Sequence, residues 1–114
     1  MSDSVIYHNP RCSTSRRTLD LLRDNGIEPT VVQYLKSPPT RTQLVKMIKA
    51  AGIDVRTAMR KRESLYDELN LADATDDELL DAMAVNPILI ERPFVVTPKG
   101  TRLARPIDAV REIL

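Results

Sequence analysis

The proline and glycine punctuation of the first forty residues predicts a β-α-β unit. Val5-Ile6-Tyr7 is a short β-branched and aromatic run, the composition of a strand. Pro10 closes it. A helical pattern follows with Leu19 and Leu22 turned inward and Leu21 beside them, and Gly26 ends it in the position just past a helix. After Pro29, Thr30-Val31-Val32-Gln33-Tyr34-Leu35 reads as a second strand, stopped by Pro38-Pro39. Strand, helix and strand in that order favour parallel pairing with a right-handed crossover.

The middle of the chain is helical. Thr40-Arg41-Thr42-Gln43 fits a capping box, and Leu44, Met47, Ile48 and Ala51 follow at i, i+3, i+4 and i+7 until Gly52. Residues from about 55 to 70 read as short helices or irregular turns. Thr75-Asp76-Asp77-Glu78 is a second capping box, with Leu79, Leu80 and Met83 on one face and Pro87 as the limit. Strands return with Phe94-Val95-Val96-Thr97 and Thr101-Arg102-Leu103-Ala104. They flank Pro98-Lys99-Gly100 and should form an antiparallel hairpin. Pro106 suits the first turn of a last helix whose apolar face is Ile107, Val110, Ile113 and Leu114.

The expected architecture is a small α/β sheet, β-α-β then β-β-α, with an inserted helical lobe. At 114 residues it is a single domain, its sheet core about 1–37 and 87–114 and its insertion about 38–86. Seventeen basic and sixteen acidic residues balance to +1, against the basic excess of a nucleic-acid binder. No run approaches the ~18 apolar residues of a membrane span. Met1-Ser2-Asp3-Ser4 is polar, so no secretory signal is expected, and one cysteine cannot make an internal disulfide. A reducing, cytoplasmic setting follows as the expectation.

That cysteine, Cys12, stands in His8-Asn9-Pro10-Arg11-Cys12-Ser13-Thr14-Ser15-Arg16. A free cysteine usually behaves as a small buried hydrophobe, but residues 9–17 offer it no aliphatic partner. It lies between a strand end and a helix start, where unpaired backbone N–H groups and the positive end of the helix dipole favour a thiolate. Nearby arginines add to this, and such settings lower a thiol pKa below the free value of about 8.5. The same donors suit a tetrahedral oxyanion. A dithiol motif is excluded, because Ser15 occupies the resolving position. A cysteine phosphatase loop would need arginine where Thr18 stands. Cys12 therefore reads as a nucleophile.

The segment Tyr7 to Arg16 resembles the signature of the glutathione/glutaredoxin-coupled arsenate reductases, which have a thioredoxin-like fold. The resemblance continues through Tyr34-Leu35, Pro38-Pro39, Arg60, Asn86 to Pro93, Val95 to Pro98 and Gly100 to Pro106. It implies a mixed four-stranded sheet. It implies Cys12 as nucleophile, and Arg60, Arg92 and Arg105 as the arginines that bind the oxyanion. It implies that His8 helps set the acidity of the cysteine, that the Ser15 hydroxyl bonds the thiolate, and that Pro93 follows a cis bond. Arg11 and Arg16 add positive charge as supporting residues. Taken alone, Arg60 lies in the charge run Arg60-Lys61-Arg62, the pattern of a solvated helix face.

The resemblance further implies reduction of arsenate to arsenite through a covalent Cys12–arsenic intermediate, with glutathione as co-substrate and glutaredoxin as partner. It implies no bound cofactor and no metal, nucleic-acid or membrane partner. Two alternatives stand beside it. One is a thioredoxin-fold transcriptional regulator that binds RNA polymerase. The other is a monothiol oxidoreductase acting on glutathione mixed disulfides.

Overall fold

The computed structural model describes residues 3–114; Met1 and Ser2, the first half of the polar opening stretch, lie outside the described residues. The chain divides into two compact units. One comprises the described residues through Ser37 together with Arg92–Leu114, and the other is Pro38–Glu91.

The first unit is built on a four-stranded mixed sheet in the order β2-β1-β3-β4, the thioredoxin-like arrangement. Strand β1 is Val5–His8, β2 is Thr30–Gln33, β3 is Phe94–Thr97 and β4 is Gly100–Leu103. β1 runs parallel to β2, with Val5 opposite Thr30 and His8 opposite Gln33. It runs antiparallel to β3, with Tyr7 opposite Phe94. β3 and β4 form the hairpin, with Phe94 opposite Leu103 and Thr97 opposite Gly100. The second strand stops two residues earlier than its apolar run suggests, because Tyr34 leaves the ladder and is buried.

Helix α1, Ser13–Asp24, crosses between β1 and β2. Leu22 is fully buried and Leu19 and Leu21 pack partly against the same cluster, formed with Ile6, Val95, Ala104, Val110 and Ile113. Each such side chain contributes about 1.5–3 kcal/mol when fully buried. Gly26 takes a φ of +76°, and the Ile27 N–H donates back to Leu22 O at 2.9 Å, so the chain reverses where glycine allows it. The last segment differs from expectation. Ile107–Ile113 is a 3₁₀ helix, with Pro106 as its extended N-cap and not its first helical residue. Its Val110 and Ile113 still reach the core.

The second unit holds α2, Arg41–Ala51, α3, Ser64–Glu68, and α4, Asp76–Val85. Both capping boxes form, Thr40 with Gln43 and Thr75 with Glu78. α2 packs on α4, and both bury their apolar faces: Leu44, Met47 and Ile48 from α2, Leu79, Leu80 and Met83 from α4. Arg41 pairs with Asp77 and Asp81 over this contact at 3.1 and 2.8 Å. The Arg56 guanidinium staples the irregular stretch through Tyr66 Oη, Leu71 O and Ala74 O. Residues 87–91 belong here and not to the sheet unit. Ile90 forms an isolated antiparallel bridge with Met59, and the Glu91 N–H donates to Ala58 O at 2.8 Å.

Candidate active site

Three backbone segments meet at one end of the sheet as a consequence of strand direction. β1 ends at His8 and leads into the Cys12 loop. β3 is antiparallel to β1, so its first residue, Phe94, lies against Tyr7, and Arg92 is two residues before it. β4 ends opposite Phe94, so Arg105 emerges at the same end. The Arg105 Nε donates to Arg92 O at 2.9 Å, and the Ala104 N–H donates to Pro93 O at 3.0 Å. The Arg92–Pro93 peptide bond is cis, and so is Arg105–Pro106. Arg105–Pro106 carried no such expectation.

Cys12 is the N-cap of α1, with extended backbone angles (φ −94°, ψ 121°) and no side-chain capping bond. Its N–H donates to Asn9 O and its carbonyl accepts from the Arg16 N–H, both at 3.0 Å, which fixes the loop on the helix. The sulfur is only partly covered. Burial is the largest single influence on the thiol and would raise its pKa. The Ser15 backbone N–H, the charge and side-chain hydrogen bond of Arg92 and the Thr14 backbone N–H together outweigh burial, so the thiol lies below its ordinary value. Arg105 Nη2 stands 3.9 Å from Sγ, within reach of a weak N–H···S contact.

Ser15 reaches the sulfur through its backbone. Its hydroxyl is buried elsewhere: Oγ lies 2.6 Å from His8 Nδ1 and accepts from the Asn9 N–H at 3.0 Å. The expected hydroxyl–thiolate bond is thus replaced by an N–H of the same residue, because the side chain at the third helical position is turned into the β1–α1 seam. His8 touches this seam and not the sulfur. Burial, then the charges of Arg23 and Arg16, hold its pKa below the ordinary value, so the ring is neutral at neutral pH. Arg16 Nη1 donates to Pro10 O at 2.8 Å and braces the loop from outside. The Arg11 N–H donates to Asn9 Oδ1 at 3.0 Å, and its side chain is exposed on the rim.

Arg92 is 5% exposed, a guanidinium drawn inward beside the thiol. Arg105 is half-buried. Arg60 lies in the helical unit, where its N–H donates to Leu89 O at 2.7 Å and its Nη1 is 3.9 Å from Glu63 Oε2. Within the run at 60–62, Lys61 and Arg62 are exposed while Arg60 is half-buried. The Arg60 Nε is buried without a hydrogen-bond partner among the described residues, so the run is not one uniform solvated face. Among the described residues, no group of three or more His, Cys, Asp or Glu side chains could hold a metal ion, and no helix is long and apolar enough to cross a membrane.

Two contributors escaped the sequence reading. Thr14 acts through its backbone N–H, which any residue but proline would supply at that helical position. Arg23 acts on His8 by its charge; its spacing of seven from Arg16 puts both on one helix face and would have been the signal.

A family model described as the ArsC family matches residues 7–113. An arsenate reductase from Escherichia coli (strain K12) is 56% identical over 116 residues, covering 100% of this chain and 82% of the relative. One from Rhizobium meliloti (strain 1021) is 59% identical over 112 residues, covering 96% and 80%. Among solved structures, an arsenate reductase from Vibrio cholerae is similar with a TM-score of 0.91 and 48% identity, over 97% of each chain.

Proposed function

This chain belongs to the ArsC family and is an arsenate reductase, and from that premise we propose that Cys12 acts as a covalent nucleophile with electrons drawn from glutathione and glutaredoxin. The observation that carries the proposal is the placement of Cys12 at the start of α1, with the nearly buried Arg92 guanidinium close enough to lower the thiol pKa and Arg105 Nη2 3.9 Å from Sγ.

Arsenate carries more than one negative charge near neutral pH and the thiolate is also an anion, so their approach is repulsive unless cations surround it. Arg92 and Arg105 supply planar, permanently charged donors suited to paired oxyanion contacts. Each charge-assisted bond contributes about 1.5–3 kcal/mol. The family resemblance gives Arg60 the same role.

In the proposed sequence the Cys12 thiolate bonds to arsenic(V) and one oxygen leaves as water. Glutathione adds a second sulfur and a second oxygen leaves as water. A glutaredoxin thiolate then attacks the glutathione sulfur. The sulfur–arsenic bond breaks, its electron pair stays on arsenic, and a mixed disulfide departs as arsenic(III) forms. Hydrolysis releases arsenite and restores Cys12. A chain with one cysteine fits a scheme in which both electrons come from external thiols.

The test is arsenate-dependent NADPH oxidation coupled through glutathione reductase. Omission of either glutathione or glutaredoxin is expected to lower the rate to the background without enzyme. A full rate without glutaredoxin would contradict the electron route. Turnover of a glutathione mixed disulfide with no arsenate-dependent NADPH oxidation would favour the monothiol oxidoreductase instead.

A further inference from the structure

A concavity of about 510 Å³ opens beside the active-site loop, within the roughly 300–1,000 Å³ range of small-molecule sites. His8 and Pro10 line it from the strand side, and Ser13, Arg16, Arg17 and Asp20 from α1. Positions 13, 16, 17 and 20 share one helix face. The reaction derived above assigns this groove nothing to bind.

Its charges are arranged for something other than arsenate. Arg16 braces the loop through Pro10 O and remains exposed. The Arg17 side chain is exposed and makes no hydrogen bond or ion pair with another described residue. Arg17 and Asp20 stand at i and i+3, a spacing that permits an ion pair, yet none forms. Arg23, the next cation along the face, is held by Glu28 through its Nε and Nη2 at 3.0 and 3.1 Å, so its charge is balanced within the protein. Arg23 also lines the groove with its charge offset by Glu28, which leaves two cations without a carboxylate partner near the Cys12 loop and one anion a turn further on.

We propose that this groove seats glutathione, with its carboxylates on Arg16 and Arg17 and its ammonium group on Asp20, so that its thiol is held at the Cys12 loop. The assignment rests on glutathione being the co-substrate. A plain oxyanion would have no use for Asp20, and a purely cationic ligand none for the arginines. A zwitterion with two carboxylates and one ammonium uses all three.

Arg17→Ala and Arg17→Glu separate this proposal from the reading beneath it. The KM for glutathione is expected to rise about tenfold or more in Arg17→Glu, the loss of one charge-assisted contact, and less in Arg17→Ala. The KM values for arsenate and glutaredoxin should stay within twofold. An unchanged glutathione KM in a glutathione-dependent enzyme would overturn the groove assignment and leave the electron route standing. A rise confined to the glutaredoxin KM would make the face a protein-docking surface and also overturn it. Should the wild type show no glutathione-dependent turnover, the route itself fails. The groove is then decided by amide shifts on adding S-methylglutathione. Shifts centred on residues 13–20 and lost with its dimethyl ester support the site, and their absence overturns it.

Discussion

Cys12→Ser is expected to lower arsenate kcat/KM by at least about a thousandfold, the scale on which an enzyme loses its nucleophile. The cause is chemical and not structural. A serine hydroxyl stays protonated near neutral pH, so the donors that acidify the thiol have no anion to stabilise. The fold should be indifferent or slightly firmer. Cys12 is the N-cap of α1 and makes no side-chain capping bond, whereas serine is among the preferred N-cap residues and can bond an orphan N–H of the first turn. Thermal unfolding at or above the wild-type midpoint, together with lost turnover, is the expected pair of results. Retained turnover in Cys12→Ser would refute the covalent scheme.

Arg92→Ala is expected to cost about 10²–10³ in kcat/KM, the range seen when one preorganised donor to developing charge is removed. Two effects combine. The variant loses a nearly buried guanidinium beside the sulfur, and it loses both the charge and the hydrogen bond that lower the thiol pKa. Burial, which raises the thiol, then has fewer opponents. The acid limb of the arsenate kcat/KM profile should move to higher pH, because the thiolate fraction at any given pH falls. Arg92→Lys should recover part of the pKa shift, since it keeps a charge, but little of the rate, since it lacks the planar fork. A profile with an unmoved acid limb in Arg92→Ala would show that this arginine does not tune the sulfur.

The parts of the fold legible in the sequence were those governed by local chemistry. β1, α1 and the hairpin follow from short apolar runs cut by Pro10, Gly26 and the Pro98-Lys99-Gly100 turn. The capping boxes at Thr40 and Thr75 are four-residue patterns complete in themselves. What stayed hidden depends on distant partners. Residues 87–91 look like a return to the sheet, yet the bridge between Met59 and Ile90 ties them to the helical unit. The apolar spacing of Ile107 to Ile113 is met by a 3₁₀ helix, because Val110 and Ile113 can reach the core from either winding.

The site divides along the same line. Placing Cys12 at a helix start follows from the strand–proline–helix order, and with it the backbone donors. The inward turn of Arg92 depends on antiparallel pairing of segments almost ninety residues apart in sequence, and periodicity cannot supply that; the family resemblance marked the residue but not its direction. The seam between His8 and Ser15 shows the limit of such a resemblance. It marked both residues, but the structure exchanges the roles of the Ser15 hydroxyl and backbone, since Oγ is occupied by His8 and the Asn9 N–H.

The most direct measurement is the thiol pKa of Cys12, taken from the pH dependence of its alkylation rate in the wild type and in Arg92→Ala, each with and without arsenate. A wild-type value below that of a free thiol, raised by Arg92→Ala, with arsenate slowing alkylation, is the expected result. An ordinary wild-type value, insensitive to the substitution and to the anion, would contradict it.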